Sequence, residues 1–479
     1  MTIALALGLL PLILAVCSLL IRDLKPLRAI GAFVGVAQVV VTLCVSVPVL
    51  LGQGQPAFLA WFQLDGIAAW MVGVNALVFG AAMVSAALLL DRPEDMHVSP
   101  KGARALFGLA ALFIVAANGV VCAADLGAMW VAMEATTLIT APIILLQGTR
   151  RSIEAAWKYL ILCGVGIAFA LLGTVFLLAA AGEGGSLSIA WLTDHASGLR
   201  RSLLDAAFVF FLLGYGTKAG LFPVHNWLPD AHSEAPAPAS ALLSGALLNC
   251  AMVALWRIGG IVGQSDSRSL LVNLVAPMGA VTVLAAGIML VRQRDLKRMW
   301  AYSSIENMGL LAVAVGLRAA PVFALHALAH SLAKSSAFLL AGNVIRSYGT
   351  VSLSKLSGVM RRSPGLGFAL LAAGAAVMGA PPFASFVSEW LLLTHAAKGG
   401  HWGILAAITV GLAVSFIAVL IHLGRITFGE KSQRSDAPTT TGSLLPAVLL
   451  LALSTALFVL VTPTALESLS NALSPGGRP

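Results

Sequence analysis

The feature that constrains this chain most is a succession of apolar runs, each about as long as a bilayer is thick. A helix needs roughly 20 apolar residues to cross hydrocarbon, where no water can satisfy an open backbone. Fourteen such runs can be marked, at about 2–21, 29–51, 66–90, 103–123, 126–147, 154–180, 203–222, 236–258, 269–291, 297–317, 321–346, 365–398, 402–427 and 444–463. The twelfth is too long for one straight helix, and Pro381-Pro382 interrupts it. Composition agrees: of 479 residues, 59% are hydrophobic and 10% charged, against about 25% charged in soluble domains. So little polar surface cannot coat a globule of this size. A soluble enzyme, a nucleic-acid binder and a disordered scaffold are excluded, and the reading is an all-α polytopic membrane protein. The apolar stretch from Met1 lacks a basic leader, so it reads as a first span rather than a cleaved signal.

The net charge of +9 comes from 29 basic and 20 acidic residues. With the N-terminus outside, the inside loops hold Arg22, Lys25, Arg28, Arg92, Lys101, Arg104, Arg150, Arg151, Lys158, Arg292, Arg294, Lys297, Arg298, Arg346, Lys355, Arg361, Arg362, Arg425, Lys431 and Arg434. The outside segments hold only Arg200, Arg201, Arg257, Arg268, Arg318, Lys398 and Arg478. Basic residues favour cytoplasmic loops, so this asymmetry predicts both termini outside. It also accounts for the charge without nucleic acid. Cys17, Cys44, Cys122, Cys163 and Cys250 all lie in apolar stretches with no CxxC among them. They read as packing residues, not disulfides or iron–sulfur ligands.

Ionisable groups inside a bilayer are costly and need a reason. Glu134 lies in the fifth span, Lys218 in the seventh, Glu306 in the tenth, Lys334 in the eleventh and Glu389 in the twelfth. His326, His330 and Lys334 follow one another at i, i+4 and i+8. That spacing puts them on one helix face, drifting about 40° and rising about 6 Å per step. Such a row, bridged by water, can hand a proton along. The competing explanation is a buried polar stripe satisfied by neighbouring helices. No Cys or carboxylate joins the histidines at ligand spacing, so no metal is expected. Glu134 and Lys218 read either as a structural salt bridge or as a switch, in which removing the carboxylate lets the lysine give up its proton.

The seventh span ends in GLFPVHNWLPD and the twelfth breaks at GAPPF. Proline removes an amide donor, and broken helices persist in membranes where they line a cavity. Interrupted helices at corresponding places in two halves point to inverted repeats. Spans 4–8 and 9–13 make two five-helix units, and five is odd, so the units have opposite topology. The expected organisation is a three-helix segment at 1–102, repeats at 103–258 and 259–430, and a last helix and tail at 431–479. Lys218 and Glu389 are expected beside equivalent breaks.

Four motifs now carry a resemblance. LGYGTKAGLFPVHNWLPDAHSEAPAPASALLSGALLN, Leu213 to Asn249, resembles the signature of the antiporter-like subunits of respiratory complex I, Mrp-type sodium/proton antiporters and membrane-bound hydrogenases. DLKRMWAYSSIENMG, LHALAHSLAKSSAFLLAGNV and GAPPFASFVSEWLL follow in the family's order, so the likeness covers most of residues 60–430. HNWLPDAHSEAPAP and SSIENMG are similar to component F of hydrogenase-4-type complexes. The resemblance implies fourteen helices with two inverted five-helix units and broken seventh and twelfth helices. It implies a proton path through Glu134, Lys218, the His326/His330/Lys334 relay and the terminal Glu389, with His225 and His232 of the HNWLPDAH run beside it. Where many relatives carry lysine or histidine in the eighth helix, this chain has Asn249, which cannot titrate. The link between the half-channels then runs through a water at Asn249, through Glu306 or through His232.

No redox-cofactor motif is visible: there is no Cys cluster, no GxGxxG after a strand and no CxxCH. No cofactor or metal is expected, and the chain is not expected to carry electrons itself. The expectation is a proton-translocating, non-redox subunit of a membrane oxidoreductase of hydrogenase-4 or formate hydrogenlyase type. Its partners would be other membrane subunits and a peripheral redox arm, in a prokaryotic inner membrane. The alternatives are a subunit of an NADH- or ferredoxin:quinone oxidoreductase, an Mrp-like Na+/H+ antiporter, and the ion-driven membrane partner of an inorganic-carbon uptake protein. A bare structural anchor is the plainest rival. The sequence leaves H+ or Na+ open.

Overall fold

The structure, a computed structural model, describes residues 2–54, 57–430 and 441–473. Lys431, Arg434 and Arg478, counted among the loop cations, lie outside the described residues. Ten helices are by themselves long and apolar enough to cross a bilayer: Leu24–Leu50, Gly66–Leu89, Pro100–Cys122, Leu126–Gln147, Arg150–Ala181, Arg201–Ala219, Ala237–Gly263, Leu271–Leu290, Trp402–Phe428 and Gly442–Leu460. The other expected spans coincide with Thr2–Leu20, Leu296–Gly316, Ala320–Tyr348 and the pair Pro364–Val377 and Ala384–Lys398. Leu296–Gly316 and Ala320–Tyr348 carry their polar residues inside the bundle, where neighbouring helices shield them from lipid. The eighth span, Ala237–Gly263, is 100% buried over its most apolar stretch, whereas the thirteenth, Trp402–Phe428, is 28% buried there. The eighth is therefore the axis of the bundle and the thirteenth an outer wall.

The two five-helix units expected from the sequence share local details. The fifth and tenth spans, second in each five-helix unit, both start on an aspartate N-cap. Asp125 accepts from the amides of Gly127 and Ala128, and Asp295 from that of Arg298, satisfying donors that a helix start leaves free. The next residue pins the start to the loop after the following span: Leu126 N–H donates to Leu187 O at 3.0 Å, and Leu296 N–H to Val351 O at 2.9 Å.

The two broken helices match as well. Arg201–Ala219 ends at Gly220 and resumes at Trp227–Glu234; Pro364–Val377 is followed by Gly379 and resumes at Ala384–Lys398. Gly220 and Gly379 have φ of +75° and +63°, a left-handed conformation that glycine adopts without a Cβ penalty. Each stands three residues before a cis proline, Pro223 and Pro382. Spans approach closely where glycines face each other. A Cβ on Gly279 of the ninth would stand 2.6 Å from Gly309 O of the tenth.

One departure from the all-helical expectation is a small antiparallel hairpin, Ala57–Leu59 with Phe62–Gln63, between the second and third spans. Its turn is tied to the end of the fourth span by Ala124 N–H donating to Trp61 O at 2.8 Å. All five cysteines are free. Cys122, Cys163 and Cys250 are buried packing residues, whereas Cys44 is exposed on the outer surface of its helix.

Candidate proton-transfer site

At one end of the polar axis Lys218 is fully buried. Its last-turn position places it just before the break at Gly220. The Nζ donates to Tyr159 OH at 2.6 Å and to Thr137 Oγ1 at 2.8 Å. Tyr159 OH shares a 2.6 Å bond with Thr140 Oγ1, and its ring lies under the ammonium, 4.7 Å from centroid to Nζ. Trp227, first residue of the resumed helix, packs on Tyr159 at 5.0 Å and donates its indole N–H to Thr217 O at 2.8 Å.

Glu134 is not in direct contact with Lys218. Among the described residues the ion pairs do not include the two, and Glu134 Oε2 is buried without a partner. Thr137, one turn along the same helix, donates to Met133 O at 3.4 Å and accepts from Lys218. In place of a direct salt bridge, Lys218 is held by two hydroxyls, and Glu134 lies one turn before the first of them.

The eleventh span presents His326, His330 and Lys334 to the interior, all buried. They reach three different neighbours. His326 Nδ1 shares a 2.9 Å bond with Ser388 Oγ of the twelfth span. His330 Nε2 lies 3.2 Å from Ser244 O of the eighth. Lys334 Nζ donates to Ser303 Oγ and, at 3.4 Å, to Trp300 O of the tenth. His326 Nε2 and His330 Nδ1 have no protein partner.

Between the ends lies the eighth span, whose residues Leu243–Leu247 form a π-helical turn. Such a turn shifts backbone carbonyls out of the regular ladder and recurs at functional sites. Here Ser244 O meets His330, and Gly245 O accepts from Ser331 Oγ at 2.6 Å. Asn249 donates to Ser331 Oγ at 2.7 Å and leaves its Oδ1 buried and unpaired. His232 is fully buried, stacked on Phe338 at 5.1 Å, with both ring nitrogens unpaired. His225 is buried in the seventh-span break against Phe222.

At the far end Glu306 and Glu389 are both buried. A Cβ on Gly379 would overlap the Glu389 carboxylate, so that carboxylate folds back onto the twelfth-span break. Lys218 and Glu389 flank equivalent breaks but not equivalent positions. Lys218 precedes its glycine by two residues and Glu389 follows its own by ten. In that register the first-repeat counterpart of Glu389 is Asp230. It bonds Arg298 at 2.6 Å and Lys158 at 3.1 Å.

Lys297, expected in an inside loop, is completely buried. It stands in the first turn of Leu296–Gly316 and donates to Ser233 O at 2.8 Å and to Ala235 O. These are carbonyls at the end of the resumed seventh-span helix, one turn of which carries Asp230 and His232. Sequence reasoning also missed the hydroxyls of Thr137, Tyr159 and Ser303 and the backbone carbonyl of Ser244. The Asp-Leu and Gly-x-x-Pro matches between repeats were a readable signal for the register.

The NADH:quinone oxidoreductase/Mrp antiporter membrane family matches residues 123–415. The hydrogenase-4 component F homolog of Methylacidiphilum infernorum is 38% identical over 381 residues, 78% of this chain and 79% of that protein. NADH-quinone oxidoreductase subunit N of Desulforudis audaxviator is 35% identical over 344 residues, 70% of this chain and 68% of that one. A chain in the structure of the Mrp complex from Dietzia sp. has the same fold, with a TM-score of 0.86 over 100% of this chain and 99% of that one at 20% identity.

Proposed function

This chain belongs to the NADH:quinone oxidoreductase/Mrp antiporter membrane family, and from that premise we propose that it is the proton-translocating, non-redox subunit of a hydrogenase-4 or formate hydrogenlyase type complex. The observation that carries the reading is the way its two central lysines are held. Lys218 and Lys334 are fully buried and bonded to hydroxyls, not to carboxylates. A hydroxyl can accept from an ammonium and can donate to a neutral amine. Each lysine can therefore change protonation without losing its partners, which a buried ion pair cannot do cheaply.

Glu134, across Thr137, and Glu306 and Glu389, around Lys334, supply charges that push or hold those protons. Two charges about 8 Å apart at an effective dielectric near 20 interact by roughly 2 kcal/mol. That is enough to bias a transfer when redox chemistry in a partner subunit moves one of them. The path proposed runs Glu134, Lys218, then the Asn249, His232 and His330 region, Lys334, and Glu306 or Glu389. His225 lies at its seventh-span mouth. The chain would sit in a prokaryotic inner membrane with both termini outside.

The hydrogenase assignment is supported by the 38% identical component F homolog. A second reading, a subunit of an NADH:quinone oxidoreductase, is supported by the 35% identical subunit N. Affinity purification of the tagged chain from its native membrane separates them. Recovery of a NiFe large subunit supports the first reading. An NADH-oxidising module supports the second, and small Mrp-like subunits or a zinc protein would displace both. Proton uptake by inverted vesicles, driven by the complex's own redox substrate, tests the translocating role.

A further inference from the structure

Three spans end together at one face of the bundle: the eighth at Gly263, the tenth at Gly316, and the ninth beginning at Leu271. Between them is a cavity of about 430 Å³ whose lining includes Arg268, Ser269, Asn273, Arg318, Leu271 and Leu317. By the distribution of basic residues this is the face that should be poor in arginine. Two arginines here need a local reason.

Arg318 is the more telling of the two. It occupies the left-handed position that closes the tenth helix, with φ +56°, where glycine is the usual residue. The turn is tight: Arg318 N–H bonds Val315 O, and Ala319 N–H bonds Ala314 O. The guanidinium then lies back along the eighth span over its small residues. Cβ atoms on Gly259, Gly260 and Gly263 would stand 3.5, 3.7 and 3.7 Å from its Nη1, Nη2 and Nε. It stacks on Trp256 at 4.3 Å and donates through Nη1 to Trp256 O at 3.2 Å. Guanidinium has five N–H donors, so most remain for whatever enters the cavity. Among the described residues neither Arg318 nor Arg268 forms an ion pair. Arg257, nearby on the eighth span, shows the contrast: Asp65 holds it with two bonds of 2.7 and 3.0 Å.

Next to the lining residue Asn273 the ninth span begins an apolar track. Leu274, Val281 and Ile288 are all exposed along the ninth span. Their spacing of seven puts them on one face of the helix, running from the arginines toward the other side of the bundle.

We propose that this cavity is a site for an anionic phospholipid, with the phosphate between Arg268 and Arg318 and an acyl chain along Leu274, Val281 and Ile288. Arginine matches phosphate oxygens through paired N–H bonds. Ser269 and Asn273 add polar groups at headgroup level. A zwitterionic lipid would leave the two arginines under-neutralised, and a free phosphate would not use the apolar track.

The test uses the full chain, purified with its complex, and compares phosphatidylglycerol, phosphatidylcholine and inorganic phosphate by native mass spectrometry and thermal unfolding. The variants are Arg268→Gln, which changes an exposed side chain, and Arg318→Asn, since asparagine tolerates the left-handed backbone. The wild type should retain and be stabilised by phosphatidylglycerol alone. The double variant should bind it roughly tenfold or more weakly, and Arg268→Gln should show part of that loss even if Arg318→Asn folds poorly. Unchanged phosphatidylglycerol binding in Arg268→Gln and the double variant overturns the proposal. So does equal stabilisation by phosphatidylcholine or by inorganic phosphate. A neighbouring subunit's carboxylate seated between the two arginines in the assembled complex overturns it too. None of these outcomes depends on proton translocation.

Discussion

The carboxylate of Glu389 occupies the space a side chain on Gly379 would need. The twelfth-span break and its ionisable residue are therefore one device: the glycine bends the chain with φ +63° and vacates the volume the carboxylate fills. Gly379→Ala should displace Glu389 and strain the turn, and so impair translocation even though no titratable group is lost. Glu389→Gln keeps size and polarity but cannot release a proton, and should lower proton uptake roughly tenfold or more. Glu389→Asp should keep part of the activity. The assay is proton uptake in vesicles with assembly checked. Full activity in both Glu389 variants would make the residue structural.

At the opposite end, Lys218→Ala and Glu134→Ala should each remove most translocation, by about a hundredfold if proton transfer limits turnover, while the complex still assembles. The neighbouring hydroxyls divide the load. Tyr159→Phe leaves Thr137 on Lys218, and Thr137→Val leaves Tyr159, so each should be milder than the lysine variant. Thr137→Val should be the worse of the two, because Thr137 stands one helical turn from Glu134, on the side of Lys218 that faces it in the proposed path. Normal pumping by an assembled Lys218→Ala complex would remove the basis of the mechanism.

Much of this architecture is legible in the residues alone, because hydrocarbon leaves the backbone few choices. Long apolar runs mark helices, Pro223 and Pro382 mark breaks, and Glu134, Lys218, Lys334 and Glu389 stand out against apolar neighbours. What escaped was whatever depends on packing across the bundle. Lys297 sits beside Arg292, Arg294 and Arg298 and looks like one more loop cation. The resumed Trp227–Glu234 half of the seventh span, whose end carbonyls it bonds, helps to bury it. Serine, threonine and tyrosine are ordinary residues of membrane helices, so nothing in their spacing singles out Thr137, Tyr159 or Ser303 as lysine partners. The Ala57–Gln63 hairpin is too short for its alternation to register. The π-helical turn at Leu243–Leu247 changes the backbone without a distinctive residue pattern.

Lys297 gives a separate prediction, on stability. Its ammonium donates to two carbonyls at the end of the Trp227–Glu234 helix, Ser233 O and Ala235 O, the second of which Ser240 Oγ also reaches at 3.3 Å. Lys297→Met retains the apolar stem and removes the donor. Ala235 O keeps Ser240, whereas Ser233 O loses its side-chain donor; a carbonyl left unpaired inside the protein costs about 1–3 kcal/mol, and the helix that holds Asp230 and His232 loosens. Thermal unfolding of the purified complex should shift down, and protease sensitivity near Glu234 should rise. An unchanged unfolding midpoint would mean that the carbonyls find other partners.

The last prediction concerns the small cavity that Ser303 and Glu306 of the tenth span share with Ser415 of the thirteenth and Met378 at the twelfth-span break. Its volume, about 10 Å³, is that of one water position. Glu306 Oε1 and Ser415 Oγ are buried there without partners, and Ser303 Oγ is already bonded to Lys334 and to Trp300 O. One water would satisfy Glu306 and Ser415: it can donate to Glu306 and accept from Ser415 and, when Ser303 turns its O–H away from Trp300 O, from Ser303 as well. In that arrangement it joins Lys334 to Glu306: Ser303 takes a proton from the Lys334 ammonium and gives its own to the water, which gives one to Glu306. Ser415→Leu fills the cavity from the opposite helix and changes no titratable group, so it should slow proton uptake severalfold, whereas Ser415→Ala, which leaves room for the water and removes one of its partners, should slow it less. Glu306→Gln should resemble Ser415→Leu. If Ser415→Leu pumps at the wild-type rate while Glu306→Gln does not, the proton reaches Glu306 without this water.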